Sequence, residues 1–252
     1  MQWLDDHTLV LGDVTFNLEH GPGPSPSASS RDRFMLRKTS PMIRDLAALF
    51  QHEHITNLLE IGIYKGGSCV LYHQLFHPAK LVAIEVNTRP EPALTDYIQR
   101  HDLSNRVKLY YGVDQADHSK LTRIVNAEFP NQPLDVVIDD ASHLFQETRT
   151  SFMALFPLLR PNGYYIIEDW GWAHWPGSYW QASRGFWASQ PALTNLIVEI
   201  VMLSTSRPDL VSSITMNDKM AVIRRGISTI EPGQFNLEKL YLSRGWKWRP
   251  II

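Results

Sequence analysis

Leu58-Leu59-Glu60-Ile61-Gly62-Ile63-Tyr64-Lys65-Gly66-Gly67-Ser68 passes from an apolar run through a glycine-rich bend into a stretch that favours helix. An apolar run that ends in glycines and opens a helix is the joint of a β-loop-α unit, where glycine lets the backbone approach a ligand closely. Outward from this joint the same rhythm repeats. Strands are predicted at Asn57–Ile63, Lys80–Val86, Val107–Gly112, Leu134–Asp139 and Gly163–Glu168, with helices between them at about Gly67–Phe76, Pro92–His101, Ser119–Phe129 and Phe145–Leu159. Such alternation, in strands without a clean polar face, predicts an α/β fold with a mostly parallel sheet covered by helices on both sides. A helix near Pro191–Thr205 and two short strands, Val211–Met216 and Met220–Arg225 turning at Asn217-Asp218, are expected to close the sheet as an antiparallel edge.

Two acidic blocks fall at strand ends. Asp139-Asp140-Ala141-Ser142-His143 follows Leu134–Ile138, and Glu168-Asp169 follows Tyr164–Ile167. Open α/β sheets build their sites at strand C-termini. Several carboxylates brought together there repel unless a cation or a shared proton intervenes, and Mg²⁺ takes carboxylate oxygens while leaving positions for a substrate. The plain alternatives are Asp140 capping the turn before the Phe145 helix, Glu168 and Asp169 as solvated strand-end charges, and His143 as a hydrogen-bonded loop residue.

Two familiar phosphate loops fit the glycine segment poorly. A dinucleotide fingerprint needs glycines at i, i+2 and i+5, whereas these stand at 62, 66 and 67; Ser68 occupies the position of a Walker lysine. The second predicted strand ends in Glu85, and one carboxylate pairs well with the two hydroxyl donors of a ribose.

The chain of 252 residues is large enough for one α/β domain, and its formal net charge of −2 gives no sign of nucleic acid or an anionic membrane as partner. One cysteine, Cys69, excludes an internal disulfide. Met1-Gln2-Trp3-Leu4-Asp5-Asp6 lacks the bases and apolar core of a signal peptide, and no apolar run reaches membrane-spanning length, so a soluble, cytoplasmic chain is expected. Residues 1–39 read as an arm with a small hairpin over Thr8–Leu18 and a flexible Pro/Ser-rich loop at Gly21–Ser30; Ser40-Pro41 reads as the N-cap and first position of a helix. Residues 40–230 form the main domain in this reading, and 231–252 a tail packed on it.

The pattern Glu60-x-Gly62-x-x-x-Gly66-Gly67 resembles the first motif of class I S-adenosylmethionine-dependent methyltransferases. Asp139-Asp140-Ala141-Ser142-His143, with Leu155–Gly163 leading to Glu168-Asp169, resembles the metal-dependent O-methyltransferases that modify macrolide sugars, and is similar to the cephalosporin-hydroxylase-like group. The likeness spans roughly Leu58 to Gly226. It implies a Rossmann-like class I methyltransferase fold with a seven-stranded sheet, and Mg²⁺-dependent transfer of a methyl from S-adenosylmethionine to a hydroxyl of a sugar or other secondary metabolite, as in antibiotic biosynthesis. Carried over by position, Asp140, Glu168 and Asp169 become the metal ligands, with His143 as base and Asp140 beside it in catalysis. Glu60, Gly62, Tyr64, Gly66, Ser68, Glu85, Asp114, Gln115 and Asp139 become cofactor contacts, Asp139 staying open between cofactor and metal. Mn²⁺ suits the same oxygen-rich site. The expected partner is a small hydroxylated acceptor, such as a glycosylated natural product, with no nucleic acid or membrane; a homo-oligomer is left open. An oxygenation component of the hydroxylase-like kind and a non-catalytic binding protein are the alternatives.

Trp170, Trp172, Trp175, Trp180 and Trp187 follow the second acidic block directly, with Tyr179 and Phe186 among them. This stretch reads either as an aromatic wall for the acceptor or as a hydrophobic plug or interface. Arg31, Arg33, Arg37 and Lys38 read as a basic cluster, solvated or closing over an acidic acceptor.

Overall fold

The computed structural model describes residues 1–21, 27–247 and 249–250. It divides into two compact units, Met1–Val113 and Asp114–Ile252.

The first unit opens with β1 (Gln2–Asp5), β2 (Thr8–Leu11), β3 (Val14–Leu18) and β4 (Arg33–Leu36), a sheet in that order in which only the β3–β4 pair is parallel. In β3 the alternation of Val14, Phe16 and Leu18 with polar residues buries one face, as period-two side chains must. The expected hairpin is present as β2–β3, flanked by two four-residue strands too short to announce themselves. Residues 22–26 of the expected flexible loop lie outside the described residues. Helix α1 (Ser40–Phe50) follows, and here the reading needs correcting: its N-cap is Thr39, whose hydroxyl accepts from the Met42 N–H at 3.4 Å, so Ser40 is already helical.

Next come β5 (Asn57–Ile61), α2 (Gly67–Phe76), β6 (Lys80–Glu85), α3 (Pro92–Arg100) and β7 (Val107–Tyr111), the strands parallel in the order β5-β6-β7. Every residue of β5 is buried, the signature of a strand covered on both faces. Gly67 is required by β4: a Cβ there would stand 2.0 Å from the Met35 carbonyl oxygen.

The second unit holds α4 (His118–Glu128), β8 (Leu134–Asp139), α5 (Phe145–Leu155), β9 (Leu159–Glu168), α6 (Thr194–Ser206), β10 (Val211–Met216), β11 (Met220–Arg225) and a single turn, α7 (Leu237–Leu240). Strands β8 and β9 are parallel, while β11 is antiparallel to both β9 and β10. Strands β5 to β11 belong to one seven-stranded sheet. This is the Rossmann-like class I methyltransferase pattern, with the antiparallel C-terminal edge that the sequence predicts. Helix α5 ends at Leu155 rather than Leu159, and Phe156–Leu158 form a 3₁₀ turn. Pro157 lacks the N–H that continued helix would need. Two residues past 231 pack within the second unit: Phe235 lies 5.5 Å from Phe156, and Arg149 bridges buried Glu199 and Glu238 at 2.7 and 3.1 Å. Among the described residues, no helix is long and apolar enough to cross a membrane.

Candidate metal and methyl-donor sites

Strand β8 ends at Asp139, and Asp140 follows it directly. Asp139 turns inward. It is buried, and its carboxylate accepts from Ser151 Oγ at 2.6 Å, Tyr165 Oη at 3.0 Å and Gln115 Nε2 at 3.3 Å. Burial pushes its carboxyl up to about 6 despite these donors. Asp140 instead meets His143 and Asp169: one ligand atom from each of the three lies within 4.8 Å of the others, all half-buried.

The backbone makes this meeting possible. His143 and Asp169 both take left-handed backbone, with φ of 56° and 52°, which non-glycine residues adopt only where surroundings hold them there. His143 is fixed by the Trp172 indole N–H, which donates to its carbonyl at 2.9 Å; Asp169 by its own N–H, which donates to the Lys219 carbonyl at 2.6 Å. His143 Nε2 lies 3.9 Å from Asp140 Oδ1. The N-cap position of α5 is Leu144, four residues past Asp140.

The Asp140 and Asp169 carboxylates, half-open to solvent, are oxygen donors that a hard divalent ion accepts with positions to spare, and the His143 imidazole stands beside them. Glu168, the third sequence-predicted ligand, lies outside this cluster and is buried at the end of β9.

In the first unit, Gly62 and Gly66 have φ of 102° and 76°, and Tyr64 between them has φ of 49°. The loop is strung on Glu85: its Oε2 accepts from the Ile63 and Tyr64 N–H groups at 3.1 and 2.8 Å, and its Oε1 from Asn87 N–H at 2.9 Å. Glu85 thus shapes the loop with its own carboxylate, a role the sequence reading did not foresee. Ser68 lies in the first turn of α2, and Glu60 is fully buried in β5 with the Cys69 thiol beside it. In the second unit, the Asp114 carboxylate accepts from the Ala116 N–H at 2.8 Å, while Gln115 is buried. Gln115 bonds Asp139 and accepts from the Ser142 N–H at 2.9 Å, which ties the two acidic-block residues to one amide.

Sequence reasoning missed Ser151, Tyr165 and Lys219, and gave Trp172 only as one of the aromatic stretch. Tyr165 stands two residues before the β9 partner of Asp139, hence on the same face, and that register was readable only once β8 and β9 were paired. Trp172, Trp175, Trp180 and Trp187 form one cluster, with Trp172 4.7 Å from Trp187, Trp180 5.4 Å from Trp187 and Trp175 5.1 Å from Trp180, and the Trp172 indole donates to the His143 carbonyl. The basic cluster is largely engaged in structure: Arg33 donates to Asn17, Arg37 to the Gly21 carbonyl, and Lys38 is buried.

Residues 59–170 match a methyltransferase domain model. Demethylmacrocin O-methyltransferase of Streptomyces fradiae is 35% identical over 135 residues, which are 51% of this chain and 30% of the relative. Mycinamicin VI 2''-O-methyltransferase of Micromonospora griseorubida is 36% identical over 132 residues, 50% of this chain and 30% of the relative. The chain thus spans under a third of these relatives' length. Among solved structures, the MycE methyltransferase of the mycinamycin pathway, in complex with Mg and SAH, aligns with a TM-score of 0.54 and 26% identity, covering 75% of this chain and 49% of that one. The TomG O-methyltransferase of Streptomyces achromogenes, with a TM-score of 0.53 and 16% identity over 75% of this chain and 81% of its own, shares the fold. Residues 59–170 thus resemble a methyltransferase domain, in a fold this chain shares with solved O-methyltransferases.

Proposed function

We propose that the chain catalyses Mg²⁺-dependent transfer of a methyl group from S-adenosylmethionine to a hydroxyl of a sugar or other secondary-metabolite acceptor. The observation that carries this reading is the meeting of Asp140, His143 and Asp169 at the ends of β8 and β9, inside a domain that matches methyltransferases. The named relatives, which act on macrolide and mycinamicin-type compounds, support the acceptor class.

An aliphatic hydroxyl is a weak nucleophile while protonated, so its proton must leave during attack. His143 is the base that accepts it, its backbone carbonyl held by the Trp172 indole and its Nε2 3.9 Å from Asp140 Oδ1. Asp140 and Asp169 hold the ion, with Glu168 as the third carboxylate that the family resemblance assigns. The ion, when bound, supplies positive charge that lowers the hydroxyl pKa and orients the oxygen. Glu85 and the Gly62–Ser68 loop serve the methyl donor, whose sulfonium is already electrophilic; Asp114 joins them as a cofactor contact. Gln115 and Asp139 act one step back, bracing the chain that presents Asp140.

The test is methyl transfer to a panel of glycosylated macrolide and aromatic polyketide acceptors, with Mg²⁺ or with EDTA. Activity is expected with Mg²⁺ alone, and His143→Ala is expected to lower kcat by roughly 10²–10⁴-fold with Mg²⁺ affinity kept. EDTA-resistant turnover would contradict the metal's role, and full activity in His143→Ala would contradict the base.

A further inference from the structure

The turn between β10 and β11 grips the segment that leaves the metal strand. Its three consecutive carbonyls each accept a hydrogen bond from residues 169–175. Asn217 accepts from the Trp170 indole at 2.9 Å, Asp218 from the Trp175 indole at 3.1 Å, and Lys219 from the Asp169 N–H at 2.6 Å. Gly171 admits this approach, since a Cβ there would stand 3.1 Å from the Asp218 oxygen. The Lys219 side chain folds back over the same segment: its ammonium lies 3.2 Å from the centre of the Trp175 ring and 4.0 Å from Asp218 Oδ2. Only 17% of that side chain is exposed. The charge of Asp169 reaches it as well, while burial holds its pKa below the ordinary lysine value.

A cation seated on an aromatic face and largely withdrawn from water interacts more strongly with neighbouring charges than a solvated one. We propose that Lys219 is the built-in counter-cation of the Asp169 corner, competing with a divalent ion for the field of that carboxylate. The inference rests on the metal reading given above. Lys219 is a positioning residue in this scheme: it touches neither acceptor nor methyl donor. Its ammonium balances Asp169 against Asp140 when no ion is held, and so keeps two carboxylates together that would otherwise repel. The cost is a weaker grip on the metal.

The experiment is calorimetric titration of the full chain with Mg²⁺ alone, for the wild type and for Lys219→Met, Lys219→Gln and Lys219→Arg, at low and high salt. Loss of the charge should tighten Mg²⁺ binding by about three- to tenfold at low salt, with the gap narrowing at high salt. Lys219→Arg should stay near wild type. General structural damage would weaken binding, so tightening distinguishes the charge effect. Two charge-removing variants guard against one failing to fold. Wild-type binding with unchanged or weaker affinity in both of them overturns the counter-cation and leaves the metal site standing. No Mg²⁺ binding to the wild type overturns the metal reading, and this inference with it.

Discussion

His143 and Asp169 occupy left-handed backbone that costs about 1 kcal/mol or more at a residue with a Cβ. Two such positions in one three-residue cluster are what a site would show when ligand geometry outranks local comfort. The same economy of placement separates Asp139 from Asp140: neighbours in sequence, one sunk into a Ser151–Tyr165–Gln115 network, the other turned to the cluster. Elsewhere a buried histidine bears on acid stability. His73 is 9% exposed, with Nδ1 3.1 Å from Tyr97 Oη, and burial depresses its pKa from 6.5 to about 4. The unfolded chain therefore binds a proton between those values that the folded chain refuses. The His73 contribution to stability is full above pH 6.5 and is lost as pH drops toward 4, on the order of 3 kcal/mol at most, while Asp139, whose carboxyl burial pushes up to about 6, contributes with the opposite sign. His73→Gln is expected to flatten that decline, measured by urea unfolding at pH 4.5, 5.5, 6.5 and 7.5; an unchanged slope would exonerate His73.

At the scale of elements, the joint between β5 and α2 depends on a strand far back in the chain. The Met35 carbonyl of β4 packs against Gly67, and Ser29 Oγ donates to the Lys65 carbonyl at 2.7 Å, so the N-terminal sheet braces the glycine loop from outside. Gly67→Ala drives a methyl into a backbone oxygen that no side-chain rotation can relieve. It should cost roughly 1–3 kcal/mol in urea unfolding and weaken S-adenosylhomocysteine binding. A variant as stable as wild type, with equal affinity, would show that β4 gives way freely. Strand and helix periods made β5–β11 and most of their helices legible in sequence, because buried apolar runs bounded by glycine, proline and acids have few other readings. The strands β1 and β4 were not legible: four-residue strands acquire their partner only when the fold brings it. For the same reason the acidic blocks stood out in the sequence, while Tyr165 and Lys219 did not. Their parts are set by cross-strand register and by a turn some fifty residues from the acids it serves.

At the scale of the whole molecule, each unit carries a different share of the proposed chemistry. Met1–Val113 contains the glycine loop and Glu85; Asp114–Ile252 contains the cation cluster, the base and the aromatic segment. Phe235 and Glu238 belong to the second share, since Phe235 packs on Phe152 of α5 and Glu238 pairs with Arg149, which also holds Glu199 of α6. Each share can be tested by its own ligand. The most direct measurement is calorimetric titration of the full chain with S-adenosylhomocysteine, in EDTA and again with Mg²⁺, for the wild type and Asp169→Asn. The account predicts micromolar S-adenosylhomocysteine binding in the wild type, and Mg²⁺ binding that Asp169→Asn abolishes. No S-adenosylhomocysteine binding to protein shown to be folded would contradict it.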